Sequence, residues 1–171
     1  MKQLQFLIKP AAGHCNMRCH YCFYRDEQQN CTDTEDYMMS LATAETLIRR
    51  CFAELDKGGF VSFAFQGGEP TLAGLDFFRF FTQTVQKYNQ KRVTVQYAIQ
   101  TNGLAVTEEW AEFFSKEHFL VGISLDGTPD VHDALRPDAQ GNGTWEKLRR
   151  RSNCCAAAVW SATFCVSLPS G

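Results

Sequence analysis

The stretch Phe60-Val-Ser-Phe-Ala-Phe-Gln-Gly-Gly-Glu-Pro70 decides how the rest of the chain is interpreted. Its first half is an apolar run rich in aromatic residues, which is typical of a buried β-strand. Its second half changes abruptly to glycine and polar residues, and Pro70 prevents the strand from continuing. The segment therefore predicts a strand that ends in a glycine-rich loop.

The same order of strand and polar loop recurs along the chain. A first strand with alternating Leu4, Phe6 and Ile8 runs into a cysteine-rich loop. Helical spacing of apolar residues predicts helices between the strands. The predicted strands cover 4–8, 60–65, 93–100 and 119–125, and the predicted helices cover 41–57, 76–88, a segment capped by Thr107 and a segment that begins near Thr144.

This alternation predicts an α/β fold with a parallel sheet that curls into a full or partial (β/α) barrel of about four βα units. The unusual polar segments all follow the carboxyl ends of strands. They include Gly67-Gly68, Thr101-Asn-Gly103 and Asp126-Gly127. Active sites of parallel barrels are built at that end, so we expect the functional site there.

Composition narrows the classes of function. The chain has 171 residues, which is enough for one domain with a core, and its formal net charge of -2 gives no support to a nucleic-acid partner. The first residues lack the apolar run of a signal peptide, and no stretch is long enough to span a membrane. We expect a cytoplasmic protein, in which the eight cysteines indicate metal or redox chemistry rather than disulfides.

Cys15, Cys19 and Cys22 form the most informative cluster of residues. Three thiolates can hold three corners of a four-iron cluster and leave the fourth iron open for a ligand. One alternative is a zinc site with His14 or His20 as the fourth ligand, although zinc sites usually pair two Cys-x2-Cys units. The other alternative is three unrelated buried thiols.

The Cys-x3-Cys-x2-Cys spacing after a first strand resembles the signature of radical S-adenosylmethionine (SAM) enzymes. The resemblance implies that the three cysteines bind a [4Fe–4S] cluster whose open iron chelates the amino and carboxylate groups of SAM. One electron from the cluster then cleaves the sulfonium, and the resulting 5'-deoxyadenosyl radical abstracts a hydrogen atom. The hard chemistry belongs to the cofactors, and the protein positions and shields them.

The resemblance also implies residues that contact SAM. Tyr21 matches an aromatic residue that packs on the adenine, and the loop of Gly67, Gly68 and Glu69 matches a motif that contacts the methionine amino group. Ser124 matches a contact to the SAM carboxylate or ribose, and Arg136 matches another SAM contact, since a guanidinium can clamp a carboxylate. For Asn102 a polar role at the site and a tight turn are both open. Taken alone, the glycine pair is also compatible with a plain turn, and Ser124 and Arg136 with surface loop residues.

Several segments narrow the resemblance to anaerobic sulfatase-maturating enzymes, which oxidise a cysteine or serine of a sulfatase to Cα-formylglycine. The segments are Cys19-His-Tyr-Cys-Phe-Tyr24, Phe65-Gln-Gly-Gly-Glu-Pro-Thr71, Gln100-Thr-Asn-Gly103 and Ser124-Leu-Asp-Gly127. The implied partners are a sulfatase polypeptide and a ferredoxin or flavodoxin that donates electrons. Two other interpretations stay open: another peptide-modifying radical SAM enzyme, and an inactive cluster-binding remnant.

No catalytic residue is predicted within this chain. The resemblance places the base that deprotonates the target, and two further clusters, in a region that no part of this chain matches, so we expect the base beyond the end of the chain. The prediction is therefore that 1–151 is the N-terminal part of a radical SAM core domain, and whether this chain alone turns over is left open.

Residues 152–171 differ from the rest because they contain no charged side chain. We expect an aberrant tail, translated out of frame in a truncated gene; a short apolar strand that completes the sheet is the alternative. The remaining cysteines are not predicted to be ligands. They are Cys31, Cys51, Cys154, Cys155 and Cys165.

Overall fold

A parallel sheet lies at the centre of the computed structural model, which describes residues 2–24, 38–156 and 162–165. Its strands are β1 (Gln3–Ile8), β2 (Phe60–Phe65), β3 (Thr94–Thr101), β4 (Phe119–Ser124) and β5 (Ala162–Cys165). Each strand pairs in parallel with the next one along the chain. This order is that of a partial (β/α) barrel, which confirms the predicted fold class.

Helices connect the strands. They are α1 (Leu41–Glu54), α2 (Leu75–Tyr88), α3 (Glu108–Lys116), α4 (Pro129–Leu135) and α5 (Trp145–Ala156), together with a 3₁₀ turn at Pro70–Ala73. The sequence patterns did not predict α4 or the 3₁₀ turn. Both are too short to show an apolar period, although each begins with a proline, whose fixed φ suits a first helical turn.

Some helix ends differ from the prediction. α1 ends at Glu54 rather than Lys57, because Leu55 leaves the helix in an extended conformation. Thr107 precedes α3 as predicted, but its side chain makes no capping hydrogen bond.

Helical and strand structure continue into the segment after residue 151. α5 continues to Ala156, and 162–165 form β5 beside β4, as the alternative interpretation of this segment has it. The proposed reading-frame change and the boundary at 151 stay predictions. Cys31 lies outside the described residues.

An aromatic core fills the space between the helices and one face of the sheet. Phe63 and Phe65 of β2 are fully buried, and their rings lie 5.2 and 5.0 Å from that of Phe81 on α2. Tyr97 and Phe119 stack at 4.9 Å on the neighbouring strands. Each such ring contributes about 1.5–3 kcal/mol by leaving water, so this face supplies much of the stability.

The opposite face of the sheet carries small and polar side chains together with two exposed leucines, Leu7 on β1 and Leu120 on β4. Ser62, Ala64, Ala98 and Gln100 alternate with the core residues and are half-buried rather than buried. One face of the sheet therefore stabilises the fold, while the carboxyl edge and the second face are available for chemistry. None of the helices within the described residues is long and apolar enough to cross a membrane.

Candidate functional site

The cysteine loop between β1 and α1 is held on one side by the glycine-rich loop after β2. The amide of Gly68 donates to the carbonyl of Ala12 at 2.8 Å, and the amide of Glu69 donates to the carbonyl of His14 at 2.6 Å. A Cβ on Gly68 would lie closer than 3.0 Å to backbone atoms of Gly13 and His14. The glycine is needed because the cysteine loop passes directly over it. The resemblance implies that this loop contacts the amino group of SAM, and the structure shows that the amides of Gly68 and Glu69 donate to the neighbouring cysteine loop.

The last residue of α4 and the segment that follows it hold the other side of the cysteine loop. The amide of Arg18 donates to the carbonyl of Pro137, and the amide of His20 donates to that of Leu135, both at 2.9 Å. Met17 and Asp138 form an antiparallel bridge between the same two segments. The backbone around the first two cysteines is therefore fixed from two directions before any cofactor is considered.

The three predicted ligand cysteines are free thiols, with Cys19 buried and Cys15 and Cys22 half-buried. Burial raises the pKa of Cys15 to about 11 and also raises that of Cys19, where the Arg136 charge opposes the shift. Metal binding requires thiolates, so a bound cluster would displace these protons.

Hydrogen-bond donors approach two of the sulfurs. The Met17 amide lies 3.4 Å and the Asn102 Nδ2 lies 3.5 Å from Cys15 Sγ, and Arg136 Nη1 lies 3.9 Å from Cys19 Sγ. Donors around thiolate sulfurs are a usual feature of iron–sulfur sites, where they tune the cluster. The donor set therefore fits a [4Fe–4S] cluster held by three cysteines.

The zinc alternative has no support among the described side chains. Within them, no three Cys, His, Asp or Glu side chains are gathered as a single ion requires. His14 and His20, the candidate fourth ligands, are both exposed. In a cubane each thiolate binds a different iron, so its ligands need not converge on one point.

Glu69 is almost completely buried and connects the loop after β2 to the end of β3. Oε1 accepts hydrogen bonds from the amide and hydroxyl of Thr71 and, at 2.7 Å, from the hydroxyl of Thr101, while Oε2 accepts from the amide of Asn102 at 2.7 Å. Burial raises the pKa of Glu69, and these donors oppose the shift. The carboxylate thus has protein partners on both oxygens.

Asn102 combines the two roles that its sequence context left open. Its Oδ1 accepts from the amide of Leu104 at 2.9 Å, which is a local turn. Its Nδ2 donates to Asn16 Oδ1 at 2.7 Å and faces Cys15 Sγ. The side chain therefore shapes the turn after β3 and also lies against a predicted cluster ligand.

Ser124 lies at the end of β4 on the open face of the sheet. Its Oγ accepts a hydrogen bond from Gln100 Nε2 at 2.9 Å, which leaves the hydroxyl proton available to donate elsewhere. Gln100 lies across Gly122, where an added Cβ would approach its amide closer than 3.0 Å. Gln100 was quoted in a motif but was not assigned a role from the sequence.

Arg136 lies in a buried ion pair rather than on a surface loop. Its Nε donates to Asp126 Oδ2 at 2.9 Å, and Asp126 is fully buried. The Tyr21 hydroxyl donates to the same oxygen, and the guanidinium carbon lies 5.3 Å from the Tyr21 ring centre. Tyr21 is therefore anchored beside Cys19 through its hydroxyl, while its ring is partly exposed.

His132 holds the backbone around the Asp126–Arg136 ion pair through hydrogen bonds on both of its ring nitrogens. It is fully buried, and its Nδ1 accepts from the amide of Asp126 at 3.3 Å. Its Nε2 lies 2.9 Å from the Thr144 hydroxyl, which itself donates to the carbonyl of Arg136 at 2.8 Å. This pattern requires the neutral ring protonated at Nε2, and burial lowers the pKa of His132 accordingly.

The structure brings most of the predicted site together at the carboxyl edge of the sheet. Contacts link the cysteine loop to Gly68, Glu69, Asn102 and Arg136. Asp126 and His132 were not predicted as functional residues. The position of Asp126 two residues after the end of β4 was the one signal that could have identified it.

A family model and the related proteins found by comparison all place this chain in the same family. The family model described as the radical SAM superfamily matches residues 11–169, and so includes the segment after 151. A cysteine-type anaerobic sulfatase-maturating enzyme of Clostridium novyi (strain NT) is 50% identical over 148 residues, which are 86% of this chain and 39% of that protein. A serine-type anaerobic sulfatase-maturating enzyme of Klebsiella aerogenes is 34% identical over 145 residues, covering 84% of this chain and 35% of that protein.

A solved structure agrees with these matches. The structure described as native anSMEcpe with bound AdoMet and Cp18Cys peptide superposes with a TM-score of 0.85 at 37% identity. The alignment covers 95% of this chain and 42% of that chain. This chain therefore spans about two fifths of the length of the relatives it matches.

Proposed function

Because this chain belongs to the radical SAM superfamily, whose members use a [4Fe–4S] cluster and SAM, we propose that it is the cofactor-binding part of a cysteine-type anaerobic sulfatase-maturating enzyme. The observation that carries the proposal is the cysteine loop. Its three free thiols lie on a backbone clamped from two sides, with donors aimed at two of the sulfurs.

The proposed roles follow the contacts of each residue. Cys15, Cys19 and Cys22 hold the cluster, which together with SAM supplies one-electron chemistry when bound. The carbonyl oxygens of Gly67 and Gly68 receive the SAM amino group, because that group donates hydrogen bonds and a backbone carbonyl accepts them. The Glu69 carboxylate is a brace between two loops, since both of its oxygens already have protein donors.

Ser124 and Tyr21 complete the proposed SAM site. The bond from Gln100 occupies an acceptor position of the Ser124 hydroxyl, so Ser124 donates its proton to an oxygen of SAM. The half-exposed ring of Tyr21 offers an apolar face for the adenine.

The proposed substrate is a sulfatase polypeptide with a target cysteine. The cysteine-type relatives are the more similar of the two kinds described above, which favours cysteine over serine. The proposed electron donor is a ferredoxin or flavodoxin, and the proposed compartment is the cytoplasm, where thiols stay reduced. No described residue is assigned as the catalytic base.

The test is a reductive SAM-cleavage assay with two peptides that differ only in a target cysteine or serine. The chain is loaded anaerobically with iron and sulfide and given SAM and a strong reductant. We expect 5'-deoxyadenosine from the wild type, none from a Cys15→Ala/Cys19→Ala/Cys22→Ala variant, and a larger yield with the cysteine peptide. A nucleoside yield that the triple substitution leaves unchanged contradicts the family role. An equal or larger response to the serine peptide contradicts the cysteine-type assignment alone.

A further inference from the structure

We propose that Asp126 is a positioning residue of the cluster site, which fixes the Arg136 guanidinium beside Cys19 and the Tyr21 ring beside that guanidinium. The inference rests on the proposed cofactor binding. It goes beyond it by assigning a role to a residue that touches neither a thiol nor the open face of the sheet.

The first support is the burial and charge of the pair. Asp126 is fully buried, and the Arg136 side chain is 10% exposed. Burying both charges is costly unless their geometry is held closely, so the pair is a poor choice for stability alone. Its position two residues after the end of β4, at the carboxyl edge, places it where the cofactors are expected.

The second support is that one carboxylate oxygen organises two partners. Oδ2 of Asp126 accepts from the Nε of Arg136 and from the Tyr21 hydroxyl. With Nε fixed in this way, the Nη1 of the planar guanidinium points to Cys19 Sγ at 3.9 Å. Moving the carboxylate would therefore move the donor at a predicted cluster ligand.

The third support is the other carboxylate oxygen. Oδ1 of Asp126 is buried and has no hydrogen-bond partner among the described residues. An acceptor left in this state is unfavourable, and such groups in native structures call for an explanation beyond packing. The backbone of Asp126 is meanwhile held by His132, so the residue cannot easily turn away.

Removing the charge of Arg136 and removing the charge of Asp126 should shift the midpoint potential of the cluster in opposite directions. A hydrogen bond and a positive charge near a ligand sulfur favour the reduced, more negative cluster and raise its potential. Arg136→Gln removes both and should lower the midpoint potential. Asp126→Asn keeps an acceptor for Nε but removes the counter-charge, so it should raise the potential. Asp126→Ala makes the same charge change without an acceptor for Nε, so the positioning role predicts a lower potential in Asp126→Ala than in Asp126→Asn.

The experiment measures the midpoint potential of the reconstituted cluster by redox titration, together with iron content and the melting temperature. Asp130→Asn is the matched control, because it makes the same charge change at an exposed position on α4 and should leave the potential unchanged. Arg136→Lys is a second variant that keeps the counter-charge of Asp126 but cannot reach both partners. It should lower the potential even if Asp126→Asn fails to load iron.

The outcomes separate the two proposals. Failure of the wild type to load a cluster contradicts the proposed function itself. If the wild type loads, equal potentials in all variants overturn the role of Asp126 and leave the proposed function standing. Equal potentials in loaded Asp126→Asn and Asp126→Ala also overturn it, because the position of the guanidinium would then not depend on an acceptor at residue 126.

Discussion

The aromatic core and the carboxyl edge of the sheet are both buried, but different forces hold them. In the core, Phe65 packs against rings at 4.9–6.1 Å, and these contacts are largely non-directional. At the edge, Glu69 and Asp126 depend on particular donors at particular oxygens. A loss in the core should therefore lower stability in proportion to volume, whereas a change at the edge should disturb cofactor loading even when volume is conserved.

The largest expected effect on stability is in the core. Phe65→Ala removes a fully buried ring and should lower the free energy of unfolding by about 3–5 kcal/mol. Urea denaturation measures this loss. Iron bound per folded molecule should stay at the wild-type level, and a selective loss of iron would show that the two regions are not separable.

Glu69→Gln conserves shape at the edge but replaces one acceptor with an NH₂ group. That group would face the amide of Asn102 or, in the other orientation, the amide of Thr71, so a donor would meet a donor. We expect a loss of about 2–3 kcal/mol in urea denaturation and a lower iron content per folded molecule. Normal iron loading with unchanged stability would contradict the proposed role of Glu69 in connecting the two loops.

Gly68→Ala tests the contact between the glycine-rich loop and the cysteine loop. The added methyl group would meet backbone that cannot move aside, so we expect a loss of about 1–3 kcal/mol and strongly reduced iron loading. Gly74→Ala is the matched control: its φ of 84° is strained for alanine, but an added Cβ meets nothing within 4 Å. It should cost about 1–3 kcal/mol through backbone strain and load iron normally. Equal iron contents in both variants would contradict the claim that the glycine-rich loop holds the cysteine loop in place for iron binding.

Asp138 offers the smallest effect and a defined pH dependence. Its pKa is lowered from 3.8 to about 2 by the Lys147 ammonium and by bonds from Asn142 and Gln140. Because the pKa of this carboxyl group is lower in the folded protein than in the unfolded chain, its charge stabilises the fold at pH values above the unfolded pKa. This stabilisation is lost as the pH falls through the folded pKa.

Asp138→Asn should therefore be less stable than the wild type near neutral pH, and the gap should narrow as the pH falls from about 4 to about 2. Melting temperatures across this range measure the gap. A constant difference between Asp138→Asn and the wild type would mean that charge is not the cause.

The sequence predicted the regular elements well because the core strands have strong patterns. The bounds of β2 agree with the prediction, those of β1, β3, β4 and α2 differ from it by one residue at one or both ends, and α3 begins after Thr107 as predicted. The short helix α4 could not be predicted, since seven residues carry too little periodicity to be recognised. Its position nevertheless determines where Arg136 lies.

The site was only partly predictable for a related reason. The cysteines and glycines belong to short local motifs, which a sequence displays directly. The partners of Glu69 and Asp126 lie 33 and 105 positions away, at Asn102 and Tyr21, so only the fold reveals them. The hydrogen bond from the Gly68 amide to the cysteine loop could not be predicted from the sequence either, because it depends on the close approach of two backbone segments.

The most direct test of the central claim is the electron paramagnetic resonance spectrum of the reduced, anaerobically reconstituted chain, recorded with and without SAM alongside iron analysis. The account predicts about four irons per chain and a signal that changes when SAM is added, because a cluster held by three cysteines has one open iron. It also predicts that Cys19→Ala abolishes both. A spectrum that SAM leaves unchanged, or iron loading that survives the loss of Cys19, would contradict it.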